Sequence, residues 1–289
     1  VTLLTLLGWS LIVPEIAVAI IIFYWFFSSK TWRKIAGNGR LNILPTVIQW
    51  ILIGIYTLVV TMPIKILLKI VSEARRYPIA RVVLSKIYLF LATGRGVEKV
   101  GRIAKGQHVC LINHGSHLDN SVISPAMEKT SADDEEKWMV LADAIMFRIW
   151  PHSLFLETNG IKLDWKNMKK AMISLFAAIK NGYSICMFYE GERSVGPDNQ
   201  LLPAKQGAAR IARMTGLEIQ LILFFLPKRI APKGWFNRPW FCMQDKPLRI
   251  VYGEIIPTAG RKVEDIHNDI EQGMQKMLDN ELSLERKTN

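Results

Sequence analysis

From about residue 80 onward, short runs rich in β-branched and aromatic residues alternate with stretches of helical character. The runs are 108–112 (HVCLI), 138–142 (WMVLA), 184–189 (SICMFY), 219–226 (IQLILFFL) and 248–252 (LRIVY). Each has the length of a buried strand and is too short for a stable helix. Helices are expected near 118–128, 166–181 and 204–215. The stretch 263–282 sets Val263, Ile266, Ile270, Met274, Met277 and Leu278 on one face at helical spacing. Strands that alternate with helices bury both faces of a sheet, which predicts an α/β fold with a central, mostly parallel sheet flanked by helices. No internal repeat interrupts the pattern, and Asp133-Asp134-Glu135-Glu136 reads as a solvated loop.

The first quarter of the chain is different. Residues 2–27 are apolar except for Glu15 and a few small polar residues, and 43–64 form a second apolar run. Each is long enough to cross about 30 Å of hydrocarbon as a helix. Pro14-Glu15 interrupts the first and Pro63-Ile64-Lys65 ends the second. A secretory signal is not expected, because the first run has no basic start and no small-residue cleavage site follows it. Trp9, Trp25, Trp32, Trp50 and Tyr56 suit the membrane interface. Basic residues follow both runs, and the positive-inside rule wants both clusters on the cytoplasmic side. Two complete spans do not deliver that. Either the first run crosses and the second lies in one leaflet, or both dip without crossing. An embedded pair of helices is the favoured expectation, with the rest of the chain on the cytoplasmic face of the membrane. The organisation is read as membrane-anchoring helices with a basic collar over 1–75 and an α/β domain over 76–289.

Composition agrees with this division. Of 289 residues 50% are hydrophobic, which excludes intrinsic disorder. The formal net charge is +12. Residues 28–105 carry 14 Lys/Arg against Glu73 and Glu98, so this one segment accounts for the whole excess. A basic collar beside apolar segments attracts anionic lipid headgroups. Nucleic acid is not an expected partner, because these basic residues interleave with Ile, Leu and Val rather than with exposed aromatics. Cys110, Cys186 and Cys242 lie in apolar runs and read as reduced core residues.

Two polar blocks stand directly after apolar strands, where sites gather in an open α/β sheet. The first is Asn113-His114-Gly115-Ser116-His117-Leu118-Asp119. On one ideal helix His114 and Asp119 would point about 140° apart. A turn must therefore intervene, with Asp119 near the start of the next helix, where a carboxylate accepts backbone N–H bonds. That geometry lets Asp119 hold the Nδ1–H of His114 and leaves Nε2 free as a base. His117 raises a metal reading, but no third ligand stands at suitable spacing and no metal is expected. His108, His152 and His267 have no supporting context, and Met139 and Met146 are expected in the core. The second block is Phe188-Tyr189-Glu190-Gly191-Glu192-Arg193-Ser194, continuing to Lys205-Gln206-Gly207.

Together the blocks resemble the glycerolipid acyltransferase family typified by bacterial 1-acyl-glycerol-3-phosphate acyltransferase. Asn113, His114, Ser116 and Asp119 fill the family's NHxSxxD block. Phe188, Glu190, Gly191, Arg193 and Ser194 fill its FPEGTRS block, with Tyr189 in place of Pro and Glu192 in place of Thr. Lys205 and Gly207 match a following Lys-x-Gly. A further family block ends in Asp-Arg after a Gly-led strand. Here Gly160-Ile161-Lys162-Leu163-Asp164-Trp165 puts Trp165 at the position of an Arg held to grip the acceptor's phosphate, with Lys162 or Lys166 as the substitute.

The resemblance implies direct transfer of an acyl chain to a lysophospholipid hydroxyl, with membrane lipids as further partners. The donor is an acyl thioester, acyl-CoA or acyl-carrier protein, and no cofactor is required. His114 and Asp119 are the implied catalytic pair. Asn113, Ser116, Glu190, Gly191, Arg193, Ser194 and Lys205 are the implied substrate-binding residues. Arg193 would hold the phosphate, and Glu190 would either position Arg193 or bind the acceptor. The expected product is phosphatidate, made from 1-acyl-glycerol-3-phosphate. The alternatives are another lysolipid or aminolipid acceptor, or a non-catalytic lipid-binding member of the fold.

Overall fold

The protein is described by a computed structural model for residues 97–116, 119–127, 137–148, 156–157, 159–193, 200–225 and 247–288, with Ile51 and Ile55. Seven strands form one sheet: β1 (Val97–Val100), β2 (Val109–Ile112), β3 (Trp138–Asp143), β4 (Gly160–Leu163), β5 (Ser184–Phe188), β6 (Ile219–Phe225) and β7 (Leu248–Ile256). Four helices connect or cover them: α1 (Asp119–Met127), α2 (Met168–Lys180), α3 (Gln206–Thr215) and α4 (Val263–Thr288). The spatial order is β1-β7-β6-β2-β5-β3-β4. All neighbours pair parallel except β6 and β7, which are antiparallel.

The expected α/β class with a mostly parallel sheet is therefore observed. Each of the five short runs from residue 108 onward forms a strand, and each helix expected beyond residue 117 lies within a few residues of its expected place. Strands β2 and β6 are buried along their whole length, as a parallel sheet covered on both faces requires. The amphipathic C-terminal stretch forms α4, and its buried row of Ile266, Ile270, Met274 and Leu278 packs with α3 over the core of β2, β5 and β6. Cys110 and Cys186 are free, buried thiols at facing positions of β2 and β5.

Among the described residues no helix is long and apolar enough to cross a membrane. The expected membrane-anchoring segment 1–75 lies outside the described residues except for Ile51 and Ile55, and so does the basic collar up to residue 96. The acidic stretch 133–136, His117, His152, Ser194 and Cys242 also lie outside them.

Candidate active site

Strand order explains why the two polar blocks meet. β2 and β5 are parallel neighbours, with Ile112 paired to Phe188. Two residues further along each strand stand His114 and Glu190, so the register alone brings them side by side. The amide N–H of His114 donates to Oε1 of Glu190 at 3.2 Å. On its other side β2 pairs with β6, Ile112 beside Ile222. There Asn113 is clamped to β6: its Nδ2 donates to the carbonyl of Phe224 at 3.0 Å, and its Oδ1 accepts from the N–H of Phe224 at 2.7 Å. Both ends of the Asn113 amide are thus spent on backbone, fixing the path of the chain as it leaves the sheet.

After β2 the chain turns back on itself before α1. Oδ2 of Asp119, the first residue of α1, accepts from the N–H groups of Gly115 and Ser116, both at 2.8 Å, and meets Nδ1 of His114 at 2.8 Å. The carboxylate is buried. Being an acceptor on all three contacts, it requires the proton of the neutral imidazole on Nδ1, which leaves Nε2 for a substrate. The turn demanded by the five-residue spacing is therefore present, although the carboxylate ties down the residues before the helix rather than the first turn of the helix itself. The imidazole plane is set by Phe188, which stacks on it with ring centroids 3.9 Å apart and planes 10° apart. The pair is held from three sides: carboxylate, aromatic ring and backbone.

Ser116 is fully buried within the turn, and Glu190 is buried beneath His114. Tyr189 is buried next to Glu190; burial pushes its phenol well up, and the hydrogen-bonded Glu190 carboxylate adds to the shift. Tyr189 therefore stays neutral. Gly191 has φ of +70° in the turn after β5, and a Cβ there would come within 3.0 Å of Lys205 Cγ. Both the left-handed backbone and the close approach explain glycine at this position.

One pocket of about 450 Å³ contains the chemistry. His114, Arg193 and Lys205 all line it, with Gly191 and Glu192 at the same end. Arg193 is half-buried, and its Nη1 is buried without a hydrogen-bond partner among the described residues. Burial lowers the Arg193 pKa and the nearby Asp119 carboxylate works in the opposite direction, which places the two blocks within electrostatic reach of each other. A buried guanidinium nitrogen with no acceptor is a ready site for an anion such as phosphate. No group of His, Cys, Asp and Glu suited to a metal ion occurs among the described residues.

Apart from Asp143, Tyr189 and Trp165, the rest of the lining is apolar, and most of it was not singled out from sequence. Met146, Leu163, Met172, Met187 and Ile211 come from β3, β4, α2, β5, α3 and the turns between them. Met139 packs against the core as expected, but Met146 faces the pocket. The recurrence of Met at 146, 168, 172 and 187 was the available signal, since flexible thioethers suit an adaptable apolar surface. Trp165 stands on the rim, with Nε1 donating to Oδ2 of Asp143 at 2.8 Å.

An α/β sheet with a carboxylate-held imidazole at its carboxyl end, facing a largely apolar pocket that also holds a half-buried guanidinium, carries the groups that acid–base group transfer or hydrolysis needs. Residues 93–223 match the Acyltransferase family model. The chain is 30% identical over 135 residues to the 1-acyl-sn-glycerol-3-phosphate acyltransferase of Helicobacter pylori (strain J99). That match covers 45% of this chain and spans about half, 54%, of the curated relative. The fold also matches the crystal structure of the 1-acyl-sn-glycerophosphate (LPA) acyltransferase PlsC from Thermotoga maritima. The TM-score is 0.64 at 19% identity, over 86% of this chain and 97% of the other.

Proposed function

We propose that this protein is a membrane-bound acyltransferase that moves an acyl chain from a thioester, acyl-CoA or acyl-carrier protein, to the free hydroxyl of 1-acyl-glycerol-3-phosphate, giving phosphatidate. The observation that carries the reading is the His114–Asp119 contact at 2.8 Å in the same pocket as the buried Nη1 of Arg193. Nε2 of His114 takes the acceptor's hydroxyl proton as the oxygen attacks the thioester carbonyl. Asp119 stabilises the imidazolium that forms. The C–S bond breaks, and the imidazolium returns its proton to the departing thiolate. The catalytic domain works on the cytoplasmic face. Arg193, with Lys205 beside it, holds the acceptor's phosphate, and the Met-rich wall accommodates an acyl chain.

A second acceptor is favoured by one feature. Trp165 occupies the rim where the resemblance leads to an arginine, and its indole N–H is committed to Asp143. Phosphate grip then falls to Arg193 and Lys205, which suits a lysophospholipid bearing a further head group. A panel of acceptors, offered with labelled acyl-CoA to the purified chain, distinguishes the two by the products formed. His114→Ala is expected to lower transfer about 10²–10⁴-fold with the fold intact by circular dichroism. Wild-type turnover in that variant would overturn the mechanism.

A further inference from the structure

We propose that the turns after β3 and β4 and the first turns of α2 form a second membrane-docking surface, on the catalytic domain itself, that seats the pocket mouth on an anionic bilayer. The apolar part is Ile145, Trp165 and Met168, which line the pocket yet are 60%, 65% and 40% exposed. β3 and β4 are parallel neighbours with Asp143 paired to Leu163, so the turns that follow them emerge together at the carboxyl end of the sheet. The Trp165–Asp143 hydrogen bond ties those turns to each other. That is also the end at which His114 and Arg193 leave β2 and β5.

Charge identifies the occupant. Arg148, Lys166, Lys169 and Lys170 are exposed in the same turns and helix start, and Lys162 is exposed on β4 just before its turn. Lys169 and Lys170 directly follow Met168 in the first turn of α2, at the end that bears the pocket mouth. The acids are fewer. Asp143 accepts from the N–H of Ile145 as well as from Trp165, and Asp164 accepts from the N–H of Lys166. Both are half-buried and turned to local backbone. Glu192 is exposed at the mouth, and Glu157 precedes the opposite, amino end of β4. Exposed Trp, Ile and Met inside a fringe of lysines is the composition of a surface lying in the headgroup region of anionic lipid. A water-exposed partner protein would leave this lysine excess unmatched unless it were itself acidic. The surface rests on the lipid-acyltransferase reading, because it explains how a bilayer-resident acceptor reaches an open apolar mouth.

The test uses the full chain carrying His114→Ala, so that contact is read independently of transfer. A polarity-sensitive fluorophore is attached at I145C, and the H114A chain without the added cysteine serves as the labelling control. Phosphatidylcholine–phosphatidylglycerol vesicles should shift its emission to the blue, and added salt should reverse the shift. Unchanged emission, or a shift that depends on protein concentration without vesicles, overturns the proposal; the latter would assign the face to a second copy. In the active chain, K169Q/K170Q should lose about ten-fold or more of its rate on acceptor embedded in those vesicles. It should keep the rate on a short-chain, water-soluble lysophosphatidate. Equal loss on both substrates would overturn docking as the role of these lysines. A wild-type chain inactive on every acceptor would count against the acyltransferase reading while leaving the fluorescence result to decide docking.

Discussion

Asp119 carries more of the site than any other single residue. Its Oδ2 accepts from His114, Gly115 and Ser116, so one oxygen fixes the tautomer and the turn together. Charge-assisted bonds of this kind contribute about 1.5–3 kcal/mol each. Asp119→Asn keeps the shape and an acceptor oxygen but removes the charge that stabilises the imidazolium. Transfer should fall by about 10²-fold or more with little change in the acceptor KM, as initial rates across acceptor concentrations will show. An unchanged kcat would reduce Asp119 to a turn residue. His114 and Asp119 were legible in the sequence as a pair needing a turn. Asn113 was read as a residue that either touches substrate or shapes the turn, and its hydrogen bonds to Phe224 join residues 111 apart. No local signal encodes such a partner.

At the scale of elements, strand interiors were legible because β-branched apolar runs have few other uses. Val97–Val100 was missed: a four-residue edge strand with an exposed Glu-Lys centre has no buried face to mark it. The short β4 shows how tightly an element that shapes the pocket can be held. A Cβ on Gly160 would lie 2.5 Å from the Leu156 carbonyl oxygen and 2.6 Å from Phe147 Cζ. Backbone cannot yield as a side-chain tip does. Gly160→Ala should therefore cost about 1–3 kcal/mol in urea unfolding. It should also disturb the Trp165 rim, changing acceptor KM more than the His114-dependent chemistry. Unaltered stability would mean that the turn before β4 relaxes freely.

For the whole molecule, α4 acts as the cover that completes the core. Its buried row packs with α3 over the core strands, so loss of packing there is felt by the whole fold. Ile270 is fully buried. Ile270→Ala should lower the unfolding free energy by about 2–5 kcal/mol while kcat of the folded fraction holds. A matching fall in kcat would reveal coupling between cover and site. Residue order along the chain was enough to give alternating strands and helices, and to put both polar blocks at strand ends, because periodicity and turn chemistry are local properties. Which strand lies beside which was decided only by folding. Backbone ladders are blind to sequence, so any of these apolar runs satisfies the hydrogen bonding of any other. Crossover packing of the helices selects the order that inserts β5 between β2 and β3. That insertion, 76 residues along the chain, sets Glu190 under His114 and brings Arg193 into the same pocket.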